Sequence, residues 1–206
     1  MSQLAQSILS AAQALPEGGL LSPKEFLHLG SRAAVDQTLT RLLREGAILR
    51  VGRGLYALPI QSRFGARPPA TQAIVQAMES ANGEVIVDSG ATEANALGLT
   101  TQVPVREVFL TSGPSRSLLL GSRTVELQHA KRWLLALGKR PAGRAIRALS
   151  WLGPEHGASA LKVLHAQLAA EEWSAMRSVR SMLPSWMARG VSEVGVSSGE
   201  GCLGLD

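Results

Sequence analysis

The sequence has a single cysteine, Cys202, only 4% aromatic residues, and no apolar run near the roughly 20 residues a membrane-spanning helix needs. A lone cysteine closes no internal disulfide and builds no zinc site, which fits a reducing compartment. With so few aromatics, the core must be made mostly of Leu, Ala, Val and Ile. The first ten residues lack the basic start and apolar stretch of a secretory signal. The N-terminal MSQLAQSILSAAQAL has no basic face with which to lie on a membrane. Two catalytic signatures are missing too: there is no G-x-x-x-x-G-K-[ST] and no H-E-x-x-H. His28, His129, His156 and His165 are scattered, and the last two are not at the i, i+4 spacing of a metal pair. His28, among Phe26, Leu27 and Leu29, suits a partly buried structural role. The expectation is a soluble, cytoplasmic protein that is not an enzyme, with no catalytic residues, cofactor, metal or membrane partner.

What is present is organised by charge. The 206 residues allow one large domain or two small ones, and 45% hydrophobic residues suffice for a packed core. The formal net charge is +5. It divides into a basic stretch over 1–69, an acidic one over 70–128 and a basic one over 129–206. Nucleic acid is the commonest polyanionic partner for a basic end, and ordinary surface charge is the alternative.

The first 59 residues read clearly. Leu4, Ile8, Ala11, Ala12 and Leu15 share one helical face, and Pro16-Glu17-Gly18-Gly19 stops that helix. Ser22-Pro23-Lys24-Glu25 is a capping box opening a short second helix that ends at Gly30. Ser31 caps a third, whose Val35, Leu39, Leu42 and Leu43 form the buried face and which Gly46 ends. Strands over 47–51 and 55–58 flank the tight turn Gly52-Arg53-Gly54. Helix, short helix, helix and hairpin follow the order of a winged helix-turn-helix, with the third helix reading the groove and the hairpin as wing. The side chains placed to meet double-stranded DNA are Ser31, Arg32, Ala33 and Gln37 near the helix start, where bases are reached, with Thr40 and Arg41 nearer the backbone and Arg44 on the same face. Arg50 and Arg53 come from the wing, and Arg63 and Arg67 add phosphate attraction. Asp36 and Glu45 are the only acidic residues between 31 and 67.

Residues 60–69, rich in Arg, Pro and Gly, read as a linker, and 70–188 as a mixed α/β unit with a helical C-terminal part. The Gly/Ser-rich residues 189–206 read as a disordered tail. Helices are expected over 70–81, 89–97, 143–152, 157–170, 171–182 and 185–188. Strands are expected over 84–87, 106–111, 116–120 and 124–128. The fold class is therefore α+β. Asp88-Ser89, after a strand, is either a ligand-binding pair or a helix cap. Gly113-Pro114-Ser115-Arg116-Ser117 is either an anion-binding loop or a plain turn. Lys139, Arg140, Arg144 and Arg147 form either a second nucleic-acid surface or a solvated helix face. Trp133, Trp151, Trp173 and Trp186 suit core or interface anchors.

The run Gly46-Ala47-Ile48-Leu49-Arg50-Val51-Gly52-Arg53-Gly54-Leu55-Tyr56-Ala57-Leu58-Pro59 resembles the wing of AbiEi-type antitoxins. So does Asp88-Ser89-Gly90-Ala91-Thr92-Glu93-Ala94-Asn95-Ala96-Leu97-Gly98-Leu99, followed by Val108-Phe109-Leu110-Thr111-Ser112. The resemblance spans about residues 1–150, with fewer basic residues than many members carry. It implies an antitoxin of a type IV toxin–antitoxin system, of the kind associated with abortive infection. Its winged helix represses its own promoter, and its C-terminal part neutralises a nucleotidyltransferase-type toxin without a stable complex. It places Arg50, Arg53 and Tyr56 in the wing. A regulator whose second unit binds a small molecule near Asp88, or a protein partner, is the alternative. Either a monomer or a dimer is compatible with repeated operator sites.

Overall fold

The computed structural model describes residues 2–63 and 65–194, and these form an α+β protein of two compact units. Unit 1 runs to Glu84 and takes in Ser115–Leu127; unit 2 is Val85–Pro114 with the chain from Gln128 onward.

Unit 1 opens with α1 (Gln3–Gln13), capped by the Ser2 hydroxyl, which accepts from the Ala5 N–H. Helix α2 (Arg32–Arg44) is capped by Ser31. Between them, Glu25 accepts from the Ser22 N–H at 2.7 Å, so the capping box forms as expected. The segment it opens is only a 3-10 turn, Pro23–Phe26, rather than a helix reaching Gly30. The reason is burial: Phe26 enters the core, but Leu27, His28 and Leu29 are exposed, so no continuous apolar face sustains further turns. His28 is accordingly not the partly buried residue expected. Leu15 also lies beyond its helix and is 39% exposed.

Strands β1 (Leu49–Gly52) and β2 (Leu55–Ala57) pair antiparallel, with Arg50 opposite Tyr56 and a register shift before Gly52. Gly54 has φ +68°, which lets the turn close. Leu21 exchanges both backbone hydrogen bonds with Tyr56, at 2.8 and 3.0 Å, adding a third edge to this ribbon. Ala5, Ile8, Ala12, Leu21, Phe26, Val35, Leu39, Leu42 and Ile48 make one buried cluster. Each fully buried Leu or Ile there contributes about 1.5–3 kcal/mol.

The residues expected as a linker instead form a hairpin, β3 (Ile60–Ser62) and β4 (Gly65–Arg67). Backbone pairing satisfies their polar groups despite a composition that suits an irregular chain. Helix α3 (Thr71–Asn82) buries Ile74, Val75 and Met78. The hairpin of β7 (Arg116–Leu120) and β8 (Arg123–His129) buries Leu118, Leu120, Val125 and Leu127 on one face, with Gly52 beside Leu118.

In unit 2, β5 (Ile86–Asp88) pairs antiparallel with β6 (Glu107–Thr111). Between them lies α4 (Gly90–Ala96). A short α5 (Arg132–Leu135) precedes α6 (Pro141–Gln167), which breaks at Gly153-Pro154, where Gly153 has φ +75°. Helices α7 (Ala170–Ser178) and α8 (Ser185–Val194) pack on its second half around Leu161, Leu164, Trp173, Met176, Met187 and Val191. Residues 189–194, expected in a disordered tail, are helical because Met187 and Val191 are fully buried on one face of α8. The remainder of that tail, with Cys202, lies outside the described residues. Among the described residues no helix is long and apolar enough to cross a membrane.

Candidate nucleic-acid interface

Helix α2 divides cleanly into two faces. Val35, Thr38, Leu39 and Leu42 are buried; Ser31, Arg32, Ala33, Gln37, Thr40, Arg41 and Arg44 are exposed. Thr38 sits at the border because its hydroxyl donates to the Ala34 carbonyl at 2.8 Å, as Thr40 does to Asp36 at 2.7 Å. The Ser31 hydroxyl is engaged as N-cap, accepting from the Ala34 N–H at 3.3 Å. It therefore offers a ligand its donor and one remaining lone pair.

The cations on this face differ in how free they are. Arg32 pairs with Asp36 at 2.8 Å, and Arg41 pairs with Glu45 at 3.8 Å while donating to the Ser2 hydroxyl at 3.2 Å. All four charged groups are about half exposed, so each pair contributes at most about 1 kcal/mol and yields readily to a stronger anion. Arg44 and Arg53 have no ion pair or side-chain hydrogen bond among the described residues. Arg53 is exposed at the tip of the β1–β2 turn. Arg50, on β1, folds back so that its Nε donates to the Gly52 carbonyl at 3.4 Å. Arg67 donates to the Pro68 carbonyl at 3.1 Å and lies 3.7 Å from Glu17, and Arg63 also has a partner.

The basic run of unit 2 is organised differently. Arg147 is 1% exposed and donates to Glu93 Oε1 at 2.7 Å; Arg144 donates to Glu93 Oε2 at 2.7 Å. Arg147 also donates to the Gly138 carbonyl at 2.8 Å, while its Nε has no partner among the described residues. Arg140 holds Glu172 at 2.8 Å, and the other Glu172 oxygen accepts from the Ala142 N–H at 3.0 Å. The Arg140 hydrogen bond, followed by that from Ala142, lowers the Glu172 carboxyl below its ordinary value. Lys139 also has a partner. Arg147 and Arg144 are thus taken up by Glu93, while Arg140 is paired with Glu172 but remains about half exposed.

Ser89 resolves the Asp88-Ser89 pair toward capping, since its hydroxyl accepts from the Thr92 N–H. Asp88 is half-buried, and desolvation together with Glu93 raises its carboxyl, opposed by Arg147, Arg144 and Lys139. At Gly113, the carbonyl meets His129 Nδ1 at 2.9 Å and the N–H donates to the Thr111 hydroxyl, so the loop is tied as a turn. Glu93 was not singled out by sequence reasoning. Its signal was a lone carboxylate in the small-residue helix GATEANA, which can approach another helix closely enough to need a cation there. Gly90 makes that approach: a Cβ on it would collide with the Arg147 carbonyl and the Trp151 Cβ.

The chain belongs to DUF6088, a family of unknown function, whose model matches residues 7–169. No protein of curated function matches it. Among solved structures it is similar to the RV2827C protein from Mycobacterium tuberculosis, with a TM-score of 0.52 and 14% identity over 97% of this chain and 78% of that one. At this identity the likeness shows a shared fold.

Proposed function

We propose that this member of the family is a DNA-binding autorepressor and the antitoxin of a type IV toxin–antitoxin system. In this reading the N-terminal part of unit 1 is a winged helix-turn-helix. Helix α2 enters the major groove of the protein's own promoter, and the β1–β2 turn carries Arg53 to a phosphate or a minor groove. Near the helix start Ser31 and Arg32 meet base edges, Gln37 suits adenine and Ala33 a thymine methyl. Thr40, Arg41, Arg44 and Arg50 lie nearer the backbone and fix the register there. The functional partner is a nucleotidyltransferase-like toxin, neutralised without a stable complex.

The observation that carries the DNA-binding half is the exposed face of α2, where Gln37 and Arg44 stand free beside weakly paired Arg32 and Arg41. The antitoxin half rests on the likeness of the Gly46–Pro59 and Asp88–Leu99 runs to AbiEi-type proteins.

The test is a mobility shift of the full chain on its own upstream DNA against a scrambled duplex, at two salt concentrations. Tight, selective binding with a steep salt slope is expected. Binding without sequence preference would overturn the repressor assignment. For the second half, co-expression with a nucleotidyltransferase-like gene beside its own is expected to restore growth, with no co-purification of the two proteins. Growth arrest that persists would remove the antitoxin reading while leaving the repressor one intact.

A further inference from the structure

Unit 2 contains an open cavity of about 460 Å³, within the range of small-molecule sites. It lies beside Trp151 rather than beside Asp88. On one side the second half of α6 presents His156, Ser159, Ala160 and Val163, spaced i, i+3, i+4 and i+7, so a single helix face forms that wall. The kink at Gly153-Pro154 sets this face at an angle to Trp151 and Leu152, which also line the cavity. The loop from Gly98 to Gln102 closes the opposite side.

Three features mark this as a built site. Trp151 lines the cavity and is 43% exposed, and its position on α6 is held by the close approach of Gly90 to its Cβ. The loop is held in place: Asn95 Nδ2 donates to the Gln102 carbonyl at 3.0 Å, and the Thr100 hydroxyl accepts from the Gln102 N–H at 3.2 Å. Finally, the lining has no Asp, Glu, Lys or Arg. It combines the Trp151 side chain and aliphatic walls with the Gln102 amide and the His156 imidazole, while the Ser159 hydroxyl donates to the His156 carbonyl at 2.9 Å and keeps only its lone pairs for a ligand. These neutral donors and acceptors match the edge of a flat, uncharged, nitrogen-rich ring. With no cation in the lining, a phosphate or carboxylate would find no counter-charge there.

We infer that this cavity binds a nucleoside, with the purine base stacked on Trp151 and its edge hydrogen-bonded by Gln102 and His156. The volume accommodates base and ribose together, and any phosphate would project into solvent. The inference does not depend on DNA binding by α2.

The experiment titrates the full chain with adenosine, guanosine, their 5′-monophosphates, cytidine, uridine and inorganic phosphate. Tryptophan fluorescence and amide chemical shifts are both read. Saturable quenching by adenosine or guanosine is expected, with shifts centred on 98–102 and 156–163. The matching monophosphate should bind within about threefold, and phosphate alone should not bind. Trp151→Leu should weaken binding by about tenfold or more, as loss of a base–aromatic stack does, while Trp151→Phe retains most of it. Ser159→Phe, which fills the cavity, should abolish it without altering the circular dichroism spectrum. The inference is overturned if neither purine nucleoside binds at about 5 mM. It is equally overturned if shifts lie elsewhere, if Trp151→Leu binds within twofold of the parent, or if only a single-stranded oligonucleotide binds.

Discussion

The arginines of α2 and those of α6 have similar local sequence density but opposite structural roles. Along α2 and its hairpin, the guanidinium groups of Arg32, Arg41, Arg44 and Arg53 stand in solvent, alone or in exposed i, i+4 pairs. On α6, Arg147 and Arg144 are both spent on Glu93, more than fifty residues earlier in the chain, and the preceding Arg140 on Glu172. A basic run keeps its guanidinium groups in solvent only where no carboxylate from elsewhere reaches it. Where one does, and water is excluded, the same residues hold helices together. Arg147 exemplifies the second role, since four of its five donors lie on two nitrogens that bond Glu93 and a backbone carbonyl.

The strongest test of this contrast is to remove one partner of the buried pair. Glu93→Ala leaves the buried Arg147 guanidinium without its carboxylate, and should cost unit 2 about 3–5 kcal/mol in denaturant unfolding; Arg147→Ala leaves Glu93 its Arg144 partner and should cost less. If Glu93→Ala unfolds within about 1 kcal/mol of the parent, the pair is not what binds α4 to α6.

The complementary test is DNA affinity. Arg44→Ala and Arg53→Ala should each weaken operator binding about tenfold and reduce the salt slope by about one, at unchanged stability. Arg140→Ala, altering the other class, should leave both affinity and slope unchanged. A comparable loss in Arg140→Ala would erase the distinction between the two sets.

A smaller effect follows from Asp88. Desolvation and Glu93 raise its folded carboxyl above the ordinary 3.8. Between that value and the raised one the folded state holds more protons than the unfolded state, so stability falls as pH rises through this window. The penalty persists at neutral pH. Asp88→Asn should therefore melt higher than the parent at pH 7, and the two should converge below 3.8. A difference independent of pH would assign the gain to packing instead. Smallest of all, Glu45→Ala should change stability by less than about 1 kcal/mol. By releasing Arg41 from its pair it should slightly strengthen operator binding in the same mobility-shift assay.

The helices and strands with a strong period were legible. Helix α2 matches its expected start, stop and buried face, apart from Leu43, which is only half-buried. The cap at Ser89 and the turn at Arg53 were legible too, because each depends on neighbours within a few residues. The 3-10 turn at Pro23–Phe26, the hairpin over 60–67 and the helical turn at 189–194 were not. Each depends on long-range burial or pairing that composition does not report. Of the candidate site, the residue types and their helical face could be read in advance; which arginines remained unpaired could not.

By itself, then, the sequence determined the α+β class, the caps, the apolar stripe of α2 and the exposure of its opposite face. These follow from local hydrogen bonding and from periodicity within one element. Only the tertiary structure decided that Glu93 neutralises Arg144 and Arg147, and that Gly90 lets α4 approach α6 closely enough to set Trp151 at the cavity edge. Those outcomes require residues distant in the chain to meet where water is excluded. Coulombic attraction and close packing are strong there, and no local pattern in the sequence encodes such a meeting.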